Sequence, residues 1–156
     1  MATISHNGGS GGYNAMSRVP YILEEIVNYA TIVATPITVG TTDTLQVLKI
    51  PAKTFVMSAG YEILTAETTN TTAQLELGDG VDPNRWVAAG VISSAGASAP
   101  VATTSALGAV YHTADTIDLL SSVDDPTNAV IRVWAVCVDY SYIADTLTDH
   151  KTYTSA

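Results

Sequence analysis

Residues 129–140, AVIRVWAVCVDY, are apolar on both sides of an extended chain and give the clearest indication of the fold. Successive side chains of a β-strand point to opposite faces of the sheet, so this segment carries two apolar sets. One set is Ile131, Val133, Ala135 and Cys137, and the other is Trp134, Val136 and Val138. A strand covered on both faces is central in a sandwich or is covered by another subunit.

Two more segments alternate with the period of a strand. In residues 73–77, AQLEL, the pattern predicts that Ala73, Leu75 and Leu77 point inward. In residues 53–64, KTFVMSAGYEIL, Gly60 indicates a bulge or a close approach of the backbone. The residues predicted to share one face of this second segment are Phe55, Met57, Ala59, Tyr61 and Ile63.

The composition favours β-structure throughout the chain. Thr, Val and Ile make up 49 of the 156 residues, and β-branched side chains favour the surface of a sheet. Turn signals recur at a spacing of about 8–12 residues, which is typical of sandwiches and barrels. We therefore expect an all-β fold, a single-domain β-sandwich or jelly-roll-like barrel with an extended N-terminal arm, whose body spans residues 21–143.

Two segments of the body are harder to interpret. Residues 21–34, YILEEIVNYATIVA, fit a helical stripe, but their content of Thr, Val and Ile favours a strand, which we expect. Residues 65–72, TAETTNTT, are expected to form an exposed hairpin connection.

The charge balance excludes two classes of partner. Only 13% of the residues are charged, against about 25% in typical domains. The formal net charge is −9, which repels phosphate backbones and anionic lipid surfaces. We expect binding neither to nucleic acid nor to a membrane.

The two ends of the chain differ from the body. Residues 1–20 include a run of glycines and are either a flexible tail or an arm that orders on a partner subunit. The second interpretation rests on side chains that a pure linker would lack, which are Tyr13, Met16, Arg18 and Val19, and these residues together with Tyr21 are the expected capsid or subunit contacts. Residues 144–156 are expected to form a polar C-terminal tail. The N-terminal residues lack the pattern of a secretory signal.

A search for catalytic and metal-binding patterns gives few candidates. The histidines, His6, His112 and His150, are far apart in sequence, and HExxH and CxxC spacings are absent. Cys137 lies between two valines, where a thiol is most simply a small buried hydrophobe. We expect no enzymatic activity and no cofactor.

The acidic loop GDGVDPN, residues 78–84, is the one weak candidate for a metal site. Asp79, Asp82 and Asn84 could supply three oxygen ligands to calcium. The spacing and terminal glutamate of an EF-hand are absent, and Asp-Gly and Asp-Pro-Asn are ordinary turn sequences. A structural turn is the favoured interpretation.

The body resembles small structural proteins of tailed bacteriophage virions, particularly capsid decoration or cement proteins. The resemblance is carried by TLQVLKIPAKTFVMSAGYEIL, residues 44–64, by AQLELGDGVDP, residues 73–83, and by TIDLL and AVIRVWAVCVDYS near the end. It implies a β-sandwich or jelly-roll body without catalytic residues.

The resemblance also implies a role and partners. A decoration protein would be made in the host cytoplasm, bind the major capsid protein on the outer capsid surface as a homotrimer, and stabilise the shell. The arm residues would then contact the capsid or a neighbouring subunit. The alternative is a carbohydrate-binding or adhesin module of a head fibre or tail, which would need exposed aromatic side chains.

Overall fold

Two antiparallel sheets pack face to face in the computed structural model, which describes residues 19–34, 43–98 and 108–139. Sheet A has the order β1-β9-β3-β6, with β7 also paired to β3, and sheet B has the order β2-β8-β4-β5. The elements are β1 Tyr21–Asn28, α1 Tyr29–Ala34, β2 Thr44–Ile50, β3 Thr54–Thr65, β4 Gln74–Gly78, β5 Val87–Val91, β6 Gly96–Ser98, β7 Ala109–Tyr111, β8 Asp115–Val123 and β9 Val130–Asp139. The predicted β-sandwich is confirmed.

Most connections cross from one sheet to the other. The chain alternates between the sheets from β1 to β4, and β4 and β5 then form an antiparallel pair within sheet B. The strands β6 and β7 lie along the same edge of β3, at opposite ends of it. The chain then returns to the centre of sheet B with β8 and to the centre of sheet A with β9.

The core lies between the sheets and follows the predicted alternation closely in β4 and β9. Ala73, Leu75 and Leu77 are fully buried, as expected. The inner face of β9 is also fully buried, and consists of Ile131, Val133, Ala135 and Cys137. Residues 129–140 are expected to be covered on both faces, and the structure shows this cover for the inner face, while β9 lies between β1 and β3 within sheet A.

The predicted single face of residues 53–64 is wrong in its first half. The register of β3 against β9 shifts between Val56 and Ser58, which is a bulge. Before the bulge Thr54 and Val56 are buried, and after it Ala59 and Tyr61 are buried. One extra residue reverses the inward set, because side chains alternate with a period of two.

Residues 21–34 combine both interpretations rather than forming one strand. The strand ends at Asn28, and a short helix follows. The side-chain oxygen of Asn28 accepts a hydrogen bond from the backbone N–H of Thr31 at 3.4 Å, as an N-cap residue does. The side chain of Tyr29 is buried in the core.

Residues 65–72 are not a hairpin connection, because β3 ends in sheet A and β4 begins in sheet B. The one acidic residue of this segment, Glu67, is fully buried. Its carboxylate accepts hydrogen bonds from the loop between β8 and β9, at Thr127 and Asn128. This segment is a crossover that is tied to a second loop at the same end of the sandwich.

Candidate assembly interface

The outer face of sheet A is apolar although it faces away from the core. Side chains that alternate with the buried set of β9 point outward and are half-buried. The neighbouring strands continue this surface, and two of their residues, Ile22 and Val110, are 65% and 51% exposed. We define the sheet A face by the outward apolar residues Ile22, Ile26, Phe55, Val110, Trp134, Val136 and Val138.

The strand register places these residues in continuous rows across the sheet. Ile22 of β1 lies opposite Val136 of β9. Phe55 of β3 lies opposite Val138 on one side and Val110 of β7 on the other. Side chains that are opposite each other on neighbouring strands are in contact range. These two rows therefore make one apolar patch, which Trp134 continues along β9, whereas Ile26 lies opposite Arg132.

Trp134 lies over a glycine in the middle of this face. A Cβ atom placed on Gly60 would lie 2.8 Å from Cζ2 of the Trp134 ring. The close approach predicted at Gly60 is thus correct, and its partner is the indole. Because Gly60 has no side chain, the large ring lies against the sheet and the surface stays flat.

A small polar group lies beside the tryptophan. The guanidinium of Arg132 forms an ion pair with the carboxylate of Glu62 on the next strand. A shallow depression of about 330 Å³ lies alongside, lined by Ile22, Glu24, Arg132 and Trp134. Exposed ion pairs contribute little to stability. Together with Glu24, which lies opposite Trp134 on β1, the pair gives this largely apolar surface a polar feature that a partner can match.

The outer face of sheet B differs in composition. Its outward residues on β4 are Gln74 and Glu76, and those on β8 include Thr116, Leu120 and Ser122, while Val91 of β5 is the most exposed apolar residue of this face. A sandwich in water normally has polar outer faces on both sheets. Large contiguous apolar patches mark interaction sites. The outer face of sheet A is the more apolar of the two and is therefore the candidate interface.

The predicted contact residues lie at one border of this surface where they are described. Tyr21 begins β1 and is half-buried, while Val19 is 67% exposed. Tyr13, Met16 and Arg18 fall outside the described residues. The sequence indicates this face only in part, through the second apolar set of residues 129–140, which could be covered by a second sheet or by another subunit.

The acidic loop forms a turn around one carboxylate. Oδ1 of Asp79 accepts hydrogen bonds from the backbone N–H groups of Val81 and Asp82, at 3.0 and 2.9 Å. Oδ2 accepts from Nε of Arg85 at 2.6 Å and from the hydroxyl of Tyr111 at 2.8 Å. Burial raises the pKa of Asp79, but these donors together lower it below its usual value. Both oxygens are therefore engaged in holding the turn.

The described part of the chain was also compared with three other kinds of site, which are a metal site, a reactive thiol and a membrane-spanning helix. Within residues 19–34, 43–98 and 108–139, no three His, Cys, Asp or Glu residues are grouped so that they could hold a metal ion. Burial raises the pKa of the Cys137 thiol to about 11, as expected for a buried hydrophobe. No helix in the described part of the chain is long and apolar enough to cross a membrane.

Comparison with known proteins gives no match in sequence and several in structure. No protein-family model matches the chain, and no curated protein matches it. A chain of the structure entitled "Capsid of Ralstonia phage GP4" has a TM-score of 0.61 and 13% identity, over 79% of this chain and 86% of that one.

Two further structures give the same kind of match. A chain of "Cyanophage Pam1 capsid asymmetric unit" has a TM-score of 0.59 and 17% identity, over 88% of this chain and 94% of that one. A chain of "Acidic stable capsid structure of Helicobacter pylori bacteriophage KHP30" has a TM-score of 0.51 and 8% identity, over 77% and 87%. At these identities the likeness shows a shared fold.

Proposed function

We propose that this protein is a non-enzymatic structural component of a bacteriophage virion, which binds the outer capsid surface and stabilises the shell as a decoration protein. The observation behind the proposal is the apolar outer face of sheet A, because a large contiguous apolar patch on a protein surface marks an interaction site. The shared fold with chains of three phage capsid structures supports it. The sequence resemblance described above points to the same class.

The strand order supports a jelly-roll assignment. If β6 and β7 are counted as one interrupted strand, each sheet has four strands, in the orders β1-β9-β3-β6/β7 and β2-β8-β4-β5. This is the connectivity of eight strands wound as two Greek keys. It places β1 at an edge of sheet A and β2 at an edge of sheet B.

The dimensions of the sheet A face suit a contact that is shared between partners. Four strands about 4.8 Å apart and roughly 30 Å long cover about 600 Å². A stable interface buries about 800 Å² on each partner. The face is therefore slightly small by itself, and further contacts are needed. A homotrimer on the major capsid protein supplies them, because each copy then contacts both its neighbours and the shell.

Binding energy alone would account for the stabilisation. A partner that binds the assembled shell and not the separated subunits shifts the equilibrium toward the assembled state. A decoration protein that bridges adjacent capsid subunits therefore raises the cost of separating them. No chemical step is needed.

The alternative, a carbohydrate-binding module, requires exposed aromatic rings that can stack on a sugar. Four of the aromatic residues available to it, Tyr29, Tyr61, Trp86 and Tyr111, are buried in the sandwich. Tyr13 and Tyr142 lie outside the described residues. The burial of these four rings favours the decoration role, and the half-buried rings of Trp134 and Phe55 belong to the sheet A face that this role uses.

Val110→Glu tests the proposal at the sheet A face. Val110 is 51% exposed on β7, so the substitution leaves the core intact while placing a charge in the apolar surface. We expect its affinity for undecorated capsids to fall about 30-fold, which corresponds to about 2 kcal/mol for a buried interface position. Co-sedimentation of the purified protein with capsids measures the affinity.

Val91→Glu is the matched control, because Val91 is 50% exposed on β5 of sheet B. It introduces the same charge at the same exposure on the other sheet. We expect wild-type affinity. Equal losses in both variants, or none in either, would contradict the assignment of sheet A as the contact face.

A further inference from the structure

The free edge of β1 is the least protected strand edge in the described structure. It pairs with β9 through eight consecutive residues without a register shift. The other long edge strand, β2, has a register shift and carries Lys49, and both features discourage further pairing. The segment Tyr21–Asn28 contains neither lysine nor proline. An extended chain could therefore add to β1 as a further strand.

The charges on β1 discriminate between the segments that could add there. Glu24 and Glu25 are both exposed at the centre of the strand. Two β1 strands paired with each other would bring these carboxylates together, and like charges on neighbouring strands are destabilising. The edge thus favours a strand that carries a positive charge or none.

The N-terminal arm of this chain has that character. Residues 1–18 contain Arg18 and no aspartate or glutamate, whereas the whole chain has a net charge of −9. They also contain apolar side chains that can pack on a sheet, such as Tyr13 and Met16. Charge complementarity therefore matches the arm to the edge of β1.

The chain is extended where it enters β1. Val19 and Pro20 form neither a turn nor a bend, and Val19 is 67% exposed. Proline restricts the preceding residue to an extended conformation. A return of the arm along its own β1 would need a tight turn at this point. No such turn is present at Val19 and Pro20, and an extended arm can instead reach the edge of a second copy.

We propose that residues 1–18 of one copy bind along the β1 edge of a neighbouring copy, with Arg18 close to Glu24 and Glu25 of the neighbour. The inference deepens the proposed function by naming the contact that joins the copies. Eighteen extended residues reach about 60 Å, which exceeds the diameter of a domain of this size. Each copy in a ring can therefore donate an arm to the next and accept one from the previous copy.

A groove at the far end of β1 gives the arm an apolar anchor site. It has a volume of about 340 Å³ and lies between the end of β1, the helix α1 and β2. Ile26, Ile32, Leu45 and Val47 supply much of its lining. An aromatic or methionine side chain on the arm fits this apolar lining, and the added contact extends the interface beyond the sheet A face.

Charge reversal tests the pairing. We expect Arg18→Glu to weaken self-association at least tenfold in analytical ultracentrifugation, and Glu24→Lys with Glu25→Lys to do the same. Combining the three substitutions should restore at least part of the loss. Lys49→Glu reverses an exposed charge on β2 and should leave self-association unchanged. No loss in Arg18→Glu, or an equal loss in Lys49→Glu, would overturn the inference.

Complementation tests whether the arm acts on a neighbour. One variant lacks residues 1–18, which leaves the buried core from Val27 to Cys137 complete. The other keeps the arm but carries Glu24→Lys and Glu25→Lys. Neither should self-associate, and an equimolar mixture should form a one-to-one complex, because one partner supplies the arm and the other an intact β1.

The failures of the two proposals are distinguishable. If the mixture forms no complex, the arm does not join copies and the inference is wrong. If the arm deletion abolishes capsid binding but leaves self-association unchanged, the arm binds the shell instead, and the decoration role stands without this inference. Loss of capsid binding in Val110→Glu is independent of both results.

Discussion

Glu67→Gln is expected to lower the free energy of unfolding by about 3–5 kcal/mol at pH 7. The carboxylate is fully buried and accepts six hydrogen bonds from two loops. The donors are the backbone N–H groups of Thr69, Asn70, Thr127, Asn128 and Ala129 and the hydroxyl of Thr127. An amide in its place turns one NH₂ group toward these donors, and unsatisfied buried donors cost about 1–3 kcal/mol each.

The pH dependence of this loss follows from the pKa of Glu67. Burial raises that pKa, but the N–H groups of Asn128, Thr127, Asn70 and Thr69 outweigh it, so the pKa falls from 4.5 to about 2. A depressed folded-state pKa gives stability that is complete above the unfolded-state pKa and is lost as the pH falls through the folded-state value. The difference corresponds to about 3 kcal/mol.

Urea unfolding of wild type and Glu67→Gln between pH 7 and pH 2 measures the effect. The two proteins should differ most above about pH 4.5 and converge toward pH 2. Glu76→Gln removes the same charge from a half-buried position on β4 and should cost under about 1 kcal/mol. A constant difference across the whole pH range would show that Glu67 does not stabilise the two loops through its charge.

Gly78→Ala is expected to lower the free energy of unfolding by about 3 kcal/mol. Gly78 ends β4, and the acidic loop folds back against it, so that a Cβ atom would overlap the backbone carbonyl groups of Asp82 and Pro83. The loop cannot easily retreat, because the carboxylate of Asp79 holds its N–H groups. Overpacking against fixed backbone costs about 1–3 kcal/mol, and sometimes more.

Gly80→Ala is the control within the same loop. The nearest atom to a Cβ on Gly80 is Oδ1 of Asp115 at 3.8 Å, which is an ordinary contact. We expect the free energy of unfolding to change by less than about 0.5 kcal/mol. Equal stability of the two variants in thermal unfolding would show that the loop is not packed on Gly78 as described.

The sequence predicts most of the strands and the fold class, because alternation is a local property. The segments around Leu75 and Val133 alternate cleanly, and both are strands with the expected buried faces. The close approach at Gly60 was also predictable from a glycine within a strand. Its partner, Trp134, was not, because the two residues meet only through the pairing of β3 with β9.

The errors have physical causes that a local pattern does not reveal. The bulge after Val56 is set by the pairing of β3 with β9, and it reverses the face of every residue before it. The cap at Asn28 ends a strand whose composition continues to favour one. Glu67 is a single acid in a threonine-rich segment, and its role depends on amide groups 60 to 62 residues away.

The candidate interface was predictable only in part. Residues 129–140 show two apolar faces, which indicates cover on both sides, but the sequence does not say whether a second sheet or a second subunit covers each. The structure supplies the distinction for the inner face, where Val133 and Ala135 are fully buried in the core. The outer face, with Trp134 and Val136, is only half-buried among the described residues and is the surface that the proposed function assigns to a partner.

Quantification of this protein in purified phage particles by mass spectrometry, relative to the main shell protein, is the most direct test of a structural role in the virion. A decoration protein on the outer surface should be present in a fixed ratio to the shell protein, and external protease should reach it on intact particles. Absence from purified particles, or trace amounts without a constant ratio, would contradict a structural role in the virion.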